Sequence, residues 1–264
     1  MSKEINESIL LDVLASLEES AQKMVVVGGW CPYLYAKYLW KIILQYLPRT
    51  TDIDLGVHET GSKRFSPTVY ERFLKAGYAA ERIYDDEPLP IEFVRKEGRI
   101  EVKIEFITSF EVSDDTLQRF LGSEIACHRI EGFDILLRSS PITLAVPYKN
   151  RKLEFKTLSP EIYFFHKGIT FPSRSGEEKR NKDMQYIYFI LRSCPKKGEF
   201  LEEILKLKKH EYFPVFRDNI LTYMGDVSCP GYPKLGQMLG MGYEQSYKEI
   251  ETVFRPLIAI LKKK

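Results

Sequence analysis

A short apolar run that ends at two glycines constrains the fold of this chain more than any other feature. Residues 24–27 are apolar and three of them are valines, which is typical of a buried strand. Gly28 and Gly29 interrupt the strand, and Pro32 suits the first turn of a helix that we expect to reach about Tyr46. The pattern therefore predicts a strand, a tight turn and a helix in direct succession.

An alternating segment after this helix predicts a second strand with two carboxylates on one face. In residues 52–57 apolar side chains alternate with acidic or small ones, which is the period of a strand. Asp52 and Asp54 leave the same face because they are two positions apart. Adjacent carboxylates repel each other unless a cation lies between them, and Mg²⁺ shares its ligands between carboxylates and phosphate oxygens.

The glycine turn and the paired aspartates together favour a site for Mg²⁺ and a triphosphate. A turn without Cβ atoms lets a phosphate approach the backbone, and the helix that follows directs its N-terminal amides toward an anion. We expect each carbon added at Gly28 to intrude where the phosphate would lie. Either motif alone is commonly a simple turn or a solvated strand face, but their order along the chain is much more specific.

The remaining pattern divides the chain into a mixed half and a helical half. The first half is predicted to hold helices at 5–21 and 67–76 and strands at 91–96 and 99–107, joined by a turn at Glu97-Gly98, with further strands to about Phe155. From Ser159 onward the pattern is helical, with helices from Pro160, around 184–191 and near 198–210, 213–223 and 243–262. We predict an α+β fold with domains at residues 1–155 and 156–264.

The glycine motif followed by Arg49-Thr50-Thr51-Asp52-Ile53-Asp54-Leu55 resembles the polymerase-β-like nucleotidyltransferases. The nearest groups are the aminoglycoside and lincosamide adenylyltransferases and the AbiEii-type toxins. The resemblance implies a mixed sheet flanked by helices, a C-terminal helical domain, a nucleoside triphosphate substrate and two Mg²⁺ ions. By position it implies nucleotide-binding roles for Gly28, Gly29 and Thr51, and catalytic and metal-binding roles for Asp52 and Asp54. The interval between Gly29 and Asp52 is longer than in the compact form of the motif.

The family also has a third carboxylate on a neighbouring strand. Glu101, Lys103 and Glu105 share one face of the predicted strand at 99–107, and the opposite face is apolar. We expect Glu105 to be the third catalytic and metal-binding carboxylate, with Glu101 as the alternative. A charged, solvated strand face is the other interpretation of this pattern.

The helical half resembles the AbiEii-type pattern of a lysine helix followed by Lys-Asp. By this resemblance Lys167 and Lys182 would bind the nucleotide and Asp183 would support catalysis. Snorkelling of Lys167 to the surface and a plain helix salt bridge between Asp183 and Arg180 are the alternatives. The basic connector around 174–182 could meet phosphate, or could be a solvated loop.

Composition excludes several other classes. The formal net charge is +2 over 264 residues, so no global basic field demands a nucleic-acid partner. Four scattered cysteines form neither a disulfide framework nor a zinc ribbon, and the histidines, with Cys127 beside His128, show no metal spacing. No apolar run reaches the ~18 residues of a membrane span, and a signal-peptide core is missing from residues 1–7. We therefore predict a cytoplasmic protein that does not enter the membrane.

The sequence is compatible with three alternative functions. The first is a toxin-like nucleotidyltransferase that modifies RNA, such as tRNA, or a protein, with an antitoxin as its partner; the lysine and Lys-Asp pattern favours it. The second is an adenylyltransferase that modifies a small molecule of the antibiotic type, which Gly28-Gly29-Trp30 favours. The third is a catalytically silent nucleotide-binding protein that kept the fold.

Overall fold

The computed structural model describes residues 7–43, 47, 50–57, 65–82, 89–97, 100–130, 132–139 and 141–263. Their strands are β1 (Met24–Val27), β2 (Ile53–Val57), β3 (Ala79–Glu81), β4 (Glu92–Glu97), β5 (Ile100–Thr108), β6 (His128–Arg129), β7 (Ile142–Tyr148) and β8 (Arg151–Thr157). Their α-helices are α1 (Glu7–Leu17), α2 (Cys31–Leu34), α3 (Val69–Lys75), α4 (Asp114–Leu121), α5 (Asp134–Arg138), α6 (Pro160–Thr170), α7 (Glu177–Ser193), α8 (Lys197–Lys206), α9 (Phe213–Met224), α10 (Gly231–Leu239) and α11 (Tyr243–Leu261). None of the helices described is long and apolar enough to cross a membrane.

Eight strands of the described chain form one mixed sheet. Their order is β3-β4-β5-β2-β1-β8-β7, and β6 adds to β5 outside this path. β2 runs parallel to β5 and antiparallel to β1, so the strand that carries Asp54 lies between these two neighbours near the middle of the sheet. The predicted α+β class is confirmed.

Strict alternation along the central strands separates an apolar face from an acidic one. Ile53, Leu55, Ile104 and Phe106 are fully buried on the apolar face. Phe73 of α3 covers this face, with its ring centroid 6.1 Å from that of Phe106. The side chains of the intervening residues on β2 and β5 therefore leave from the opposite face.

The chain divides into two compact units. One contains the described residues of Met1–Cys31 and Arg49–Ser159, and the other those of Pro32–Pro48 and Pro160–Lys264. The second unit is helical, and Phe164 lies at its centre, with ring centroids 5.2 Å from Phe200 and 5.9 Å from Phe216. The predicted apolar stripe of α7 is buried as expected: Met184, Ile187, Tyr188 and Leu191.

The helix after the two glycines is shorter and less regular than predicted. A 3₁₀ turn at Gly28–Trp30 leads into α2, and the segment Tyr35–Trp40 then continues as a π-helix. Lys41 ends it in the left-handed conformation, where its backbone N–H donates to the Ala36 carbonyl. The predicted end at Tyr46 lies outside the described residues, but the helix has already stopped at Trp40.

Other departures have local causes. The first helix gives way to a 3₁₀ segment at Glu18–Lys23, because Glu18 has a positive φ of 51°. The stretch between β5 and β7 was predicted to be strands and turns, yet it contains α4 and α5. Helix α10 was not predicted because its first turn, Gly231-Tyr232-Pro233, has the composition of a loop. Gly98, in the predicted turn at 97–98, lies outside the described residues.

Candidate functional site

Gly28 makes room for the carboxylate of Asp54. Val27, the last residue of β1, pairs with Asp54 of β2, so the glycine turn begins directly beside this aspartate. A Cβ added at Gly28 would lie 1.7 Å from Asp54 Oδ2 and 2.7 Å from its Cγ. Gly28 also has φ +68°, a conformation that residues with a side chain rarely adopt. The first added carbon would therefore meet Asp54, whereas the sequence suggested that it would meet a bound phosphate.

The register of two parallel strands brings Asp54 and Glu105 together. Asp54 of β2 pairs with Glu105 of β5, and neighbouring strands lie about 4.8 Å apart. Glu101 lies four residues earlier on β5, which corresponds to ~13 Å along the strand. Asp52 directly precedes β2 and is exposed, as is Thr51. Of the two glutamates weighed from the sequence, Glu105 is thus the one beside Asp54.

Glu92 extends this row of carboxylates and was missed by the sequence reasoning. It pairs with Glu105 across β4 and β5, and its side chain is only 5% exposed. Its carboxylate accepts a hydrogen bond from Lys103 Nζ at 3.0 Å. Ile91-Glu92-Phe93 repeats the apolar–acid–apolar pattern of Ile104-Glu105-Phe106. That repetition was the signal that could have identified Glu92.

The surroundings of Glu105 are mixed in charge. Burial raises its pKa above the ordinary value; His128 opposes this rise, and the charges of Glu92 and Asp52 add to it. His128 Nε2 lies 3.7 Å from Glu105 Oε2. No role was predicted for His128, since its distance to Glu105 depends on the pairing of β6 with β5, which no local pattern reveals.

The donor chemistry fits a hard divalent cation. Asp54 and Glu105 offer adjacent carboxylates, and Mg²⁺ prefers one or two such groups together with phosphate oxygens and water. Within the ranges that the structure describes, no three His, Cys, Asp or Glu side chains converge closely enough to hold one ion. The residues therefore fit an ion that takes its remaining ligands from a nucleotide and from solvent.

A second cluster lies in the helical unit. Lys167 Nζ of α6 is 2.7 Å from Asp183 Oδ1 of α7, and Arg174 Nε is 3.5 Å from Asp183 Oδ2. The side chain of Asp183 is 4% exposed and that of Lys167 is 12% exposed, so this ion pair is buried. Arg180, the partner considered from the sequence, instead donates to the Arg174 carbonyl at 3.1 Å. Lys167 and Asp183 therefore bind each other.

The predicted site residues fall into these two clusters. Gly28, Gly29 and the three carboxylates belong to the unit that contains the sheet, whereas Lys167, Lys182 and Asp183 belong to the helical unit. Lys182 precedes Asp183 on α7 and is partly exposed.

Comparisons with known proteins cover most of the chain. A protein-family model described as Nucleotidyltransferase matches residues 8–203. An antigenic nucleotidyltransferase-like protein from Paracoccidioides brasiliensis is similar at 13% identity over 80% of this chain and 93% of its own, with TM-score 0.43. The antibiotic-resistance factor ANT(2'')-Ia is similar at 13% identity over 78% of this chain and 96% of its own, with TM-score 0.40. JHP933 from Helicobacter pylori is similar at 13% identity over 97% of this chain and 92% of its own, with TM-score 0.42. No curated protein matches the sequence. The family match spans both clusters.

Proposed function

Because the chain belongs to the nucleotidyltransferase family, we propose that it transfers a nucleoside monophosphate from a nucleoside triphosphate to an acceptor at the face formed by Gly28, Asp54 and Glu105. The observation that supports this location most strongly is the register that sets Asp54 between the glycine turn and Glu105. An acceptor oxygen forms a bond to the α-phosphorus, and the bond from that phosphorus to the β-phosphate oxygen breaks. Pyrophosphate leaves, and the acceptor proton passes to a base.

The residues of this face have distinct proposed roles. The backbone at Gly28 and Gly29 would hold the triphosphate, with Thr51 beside it. The adjacent carboxylates of Asp54 and Glu105 would hold Mg²⁺, and Asp52 would be the further ligand that the family resemblance implies. When bound, Mg²⁺ would neutralise charge on the phosphates and activate the acceptor oxygen. In its ionised form Glu105 would also accept the acceptor proton, since burial raises its pKa and so makes the carboxylate a stronger base. The sequence predicts two ions, and the carboxylates support at least one.

In the helical unit, we propose that Asp183 positions Lys167 and Arg174 for phosphate binding. Their contacts with the buried carboxylate of Asp183 fix the direction in which both cations point. Lys182 would add a further contact with the nucleotide. These groups would act as fixed donors to phosphate oxygens, as arginine and lysine commonly do.

The acceptor that we propose is RNA, with tRNA as the first candidate. Arg174 and Lys179 are exposed and Arg180 is partly exposed, and such cations bind the phosphate backbone of nucleic acids. The toxin-like role would bring an antitoxin protein as a partner, and the need for nucleoside triphosphates would place the reaction in the cytoplasm. A small antibiotic-type acceptor is the alternative that the experiment must separate.

The test follows label from each nucleoside triphosphate. With Mg²⁺ and total tRNA, label from the α-phosphate should enter RNA, and label from the γ-phosphate should appear as pyrophosphate. Asp54→Asn should abolish both, whereas Asp115→Asn should not, because Asp115 is an exposed partner of Arg119 on α4. Label in an aminoglycoside instead of RNA would establish the alternative acceptor. Normal turnover by Asp54→Asn would refute the proposed site.

A further inference from the structure

We propose that a cavity on the helix-covered face of the sheet binds a small ligand that carries phosphate groups. The cavity encloses about 390 Å³. Its described polar lining comes from α1, β4 and the hairpin between β7 and β8: Asp12, Ser16, Arg95, Tyr148, Lys149 and Arg151. All of these residues belong to the unit that contains the sheet. The proposed reaction gives them no role, so the inference goes beyond the proposed function.

Strand alternation separates this cavity from the acidic face. Arg95 lies three residues after Glu92 on β4, so the two side chains leave from opposite faces of the sheet. A guanidinium N–H of Arg95 donates to the carbonyl of Ala76, at the end of α3, at 3.0 Å. Arg151 shares a face of β8 with the buried Leu153. The cavity therefore lies on the side of the sheet that the helices cover.

The described lining of the cavity is basic. Arg95, Lys149 and Arg151 contribute three cations, and Asp12 contributes the one carboxylate among the described lining residues. Arg151 donates to the carbonyl of Ala15 at 3.4 Å, and none of the carboxylates in the described ranges forms an ion pair with it. An anion that enters the cavity would thus gain a cation whose charge no described carboxylate neutralises.

Asp12 is already bound to two other groups. Lys149 Nζ is 3.0 Å from Asp12 Oδ1, and the hydroxyl of Tyr148 donates to the same oxygen. Burial and this hydrogen bond raise the pKa of Tyr148, so the hydroxyl stays protonated at neutral pH and remains a donor. Asp12 therefore orients Lys149 at the cavity and leaves the lining with a net positive charge.

The backbone at Lys149 is strained in a way that a simple turn does not require. Tyr148 pairs with Arg151, so Lys149 and Asn150 form a two-residue turn. Lys149 has φ 52°, in the left-handed region where glycine or asparagine is usual. Strain of this kind is commonly retained where the side chain serves a function. Here the lysine adds a charge that asparagine would not supply.

The arrangement of the cations favours phosphate. Arg95 is held in place, since its guanidinium stacks on the ring of Tyr78 at 4.3 Å and donates to Ala76. The other two cations approach from the hairpin. The oxygens of a phosphate point in several directions and can accept from separate segments at once, whereas a single carboxylate has two oxygens in one plane.

The form of the cavity favours a small ligand over nucleic acid. Its volume is in the range of small-molecule sites. A site for single-stranded nucleic acid has cations spread along a groove that follows the backbone, with aromatic rings on which successive bases stack. In this part of the chain the cations instead converge on one cavity.

The experiment measures binding of pyrophosphate to the full chain by isothermal titration calorimetry, after a chelating resin has removed divalent ions. Without such ions the carboxylates of Asp54 and Glu105 repel an anion, so the acidic face should not contribute. Wild type should bind pyrophosphate, and it should bind citrate, a carboxylate anion of similar charge, more weakly.

Two variants of the hairpin test the cations. Lys149→Asn removes the charge and suits the left-handed turn better than lysine, so it should fold at least as well as wild type. Arg151→Gln removes the second charge at an exposed position. Each should weaken pyrophosphate binding at least about tenfold, because a charge-assisted hydrogen bond is lost.

Lys152→Gln is the matched control. Lys152 neighbours Arg151 on β8, but its side chain leaves from the other face and lies 3.8 Å from Glu154. Its affinity for pyrophosphate should stay within about twofold of wild type, since the same charge is removed outside the cavity. Urea unfolding of each variant shows that the comparison is made between folded proteins.

Several results would overturn the inference: no pyrophosphate binding by wild type, binding that neither hairpin variant weakens, or tighter binding of citrate. Displacement of pyrophosphate by a short single-stranded RNA, with tighter binding of the RNA, would make the cavity a nucleic-acid contact instead. Loss of binding in Arg174→Gln alone would place the anion in the helical unit. The proposed function is tested separately, by label transfer in Asp54→Asn.

Discussion

Replacing Gly28 with alanine is the most sensitive test of the site, because one added carbon acts on a carboxylate of the neighbouring strand. The new Cβ would lie 1.7 Å from Asp54 Oδ2, 2.7 Å from Cγ and 3.1 Å from Cβ of Asp54. A normal contact between these atoms needs 3.4 Å or more, so the Asp54 oxygen would have to move by at least about 1.7 Å. A displacement of about 1 Å at a reacting centre can lower the rate roughly 100-fold.

The backbone contributes separately to the effect of Gly28→Ala. A residue with a Cβ in the left-handed conformation costs about 1–2 kcal/mol relative to glycine. Gly240 provides a matched control, since it has φ +63° and no atom within 4 Å of the Cβ that alanine would add. Gly28→Ala and Gly240→Ala should therefore lose a similar free energy of unfolding from backbone strain.

Only Gly28→Ala should lose activity. The assay compares pyrophosphate release with Mg²⁺, nucleoside triphosphate and the RNA acceptor proposed above, after urea unfolding has shown how much of each variant is folded. We expect kcat/KM to fall about 100-fold for Gly28→Ala and to stay within about twofold of wild type for Gly240→Ala. Equal activity of the two variants would show that the position of Asp54 against residue 28 has no part in the reaction.

Three further predictions concern the charged clusters. Glu105→Gln should lower turnover by at least ~100-fold while Glu101→Gln is nearly silent, because only Glu105 adjoins Asp54; the reverse order would move the site toward the start of β5. Since burial raises the pKa of Glu105, its ionisation opposes folding, and in EDTA wild type should lose stability relative to Glu105→Gln as pH rises above the ordinary pKa of a glutamate carboxyl. A difference in unfolding free energy that does not change with pH would contradict this. Lys167→Met should lower the free energy of unfolding by about 3–5 kcal/mol, because it removes the closest partner of the buried Asp183. The double variant Lys167→Met/Asp183→Asn should lower it by less, because no unpaired charge is left in the interior. Equal loss in both variants, measured by urea unfolding, would show that the charge of Asp183 is not the cause.

The fold was predictable where a strand has one buried face. Alternation at β2 and β5 identified both strands and the face on which their acidic residues lie, since burial of Ile53 and Ile104 fixes the orientation of their neighbours. The preference for Glu105 over Glu101 stays a prediction about function, but the geometry behind it could be stated from strand rise alone.

The remaining features depend on contacts between segments far apart in sequence. Glu92 and His128 approach Glu105 only because β4 and β6 pair with β5, and single-sequence patterns contain no information about such pairing. The pair of Lys167 and Asp183 likewise forms across two helices. The early end of the helix after Gly28 arises from a π-helical segment, which no residue pattern specifies.

The pairing of β2 with β5 makes the acidic site and the apolar core inseparable. Deleting one residue ahead of Glu105 in β5 would turn its side chain into the interior and bring Phe106 to the surface. A chain that pairs β2 and β5 in the wrong register would therefore lose both the paired carboxylates and the apolar core. Binding of Mn²⁺ at this face should consequently report the fraction of correctly folded molecules during refolding. Molecules whose β2 and β5 pair in the wrong register should not bind the ion.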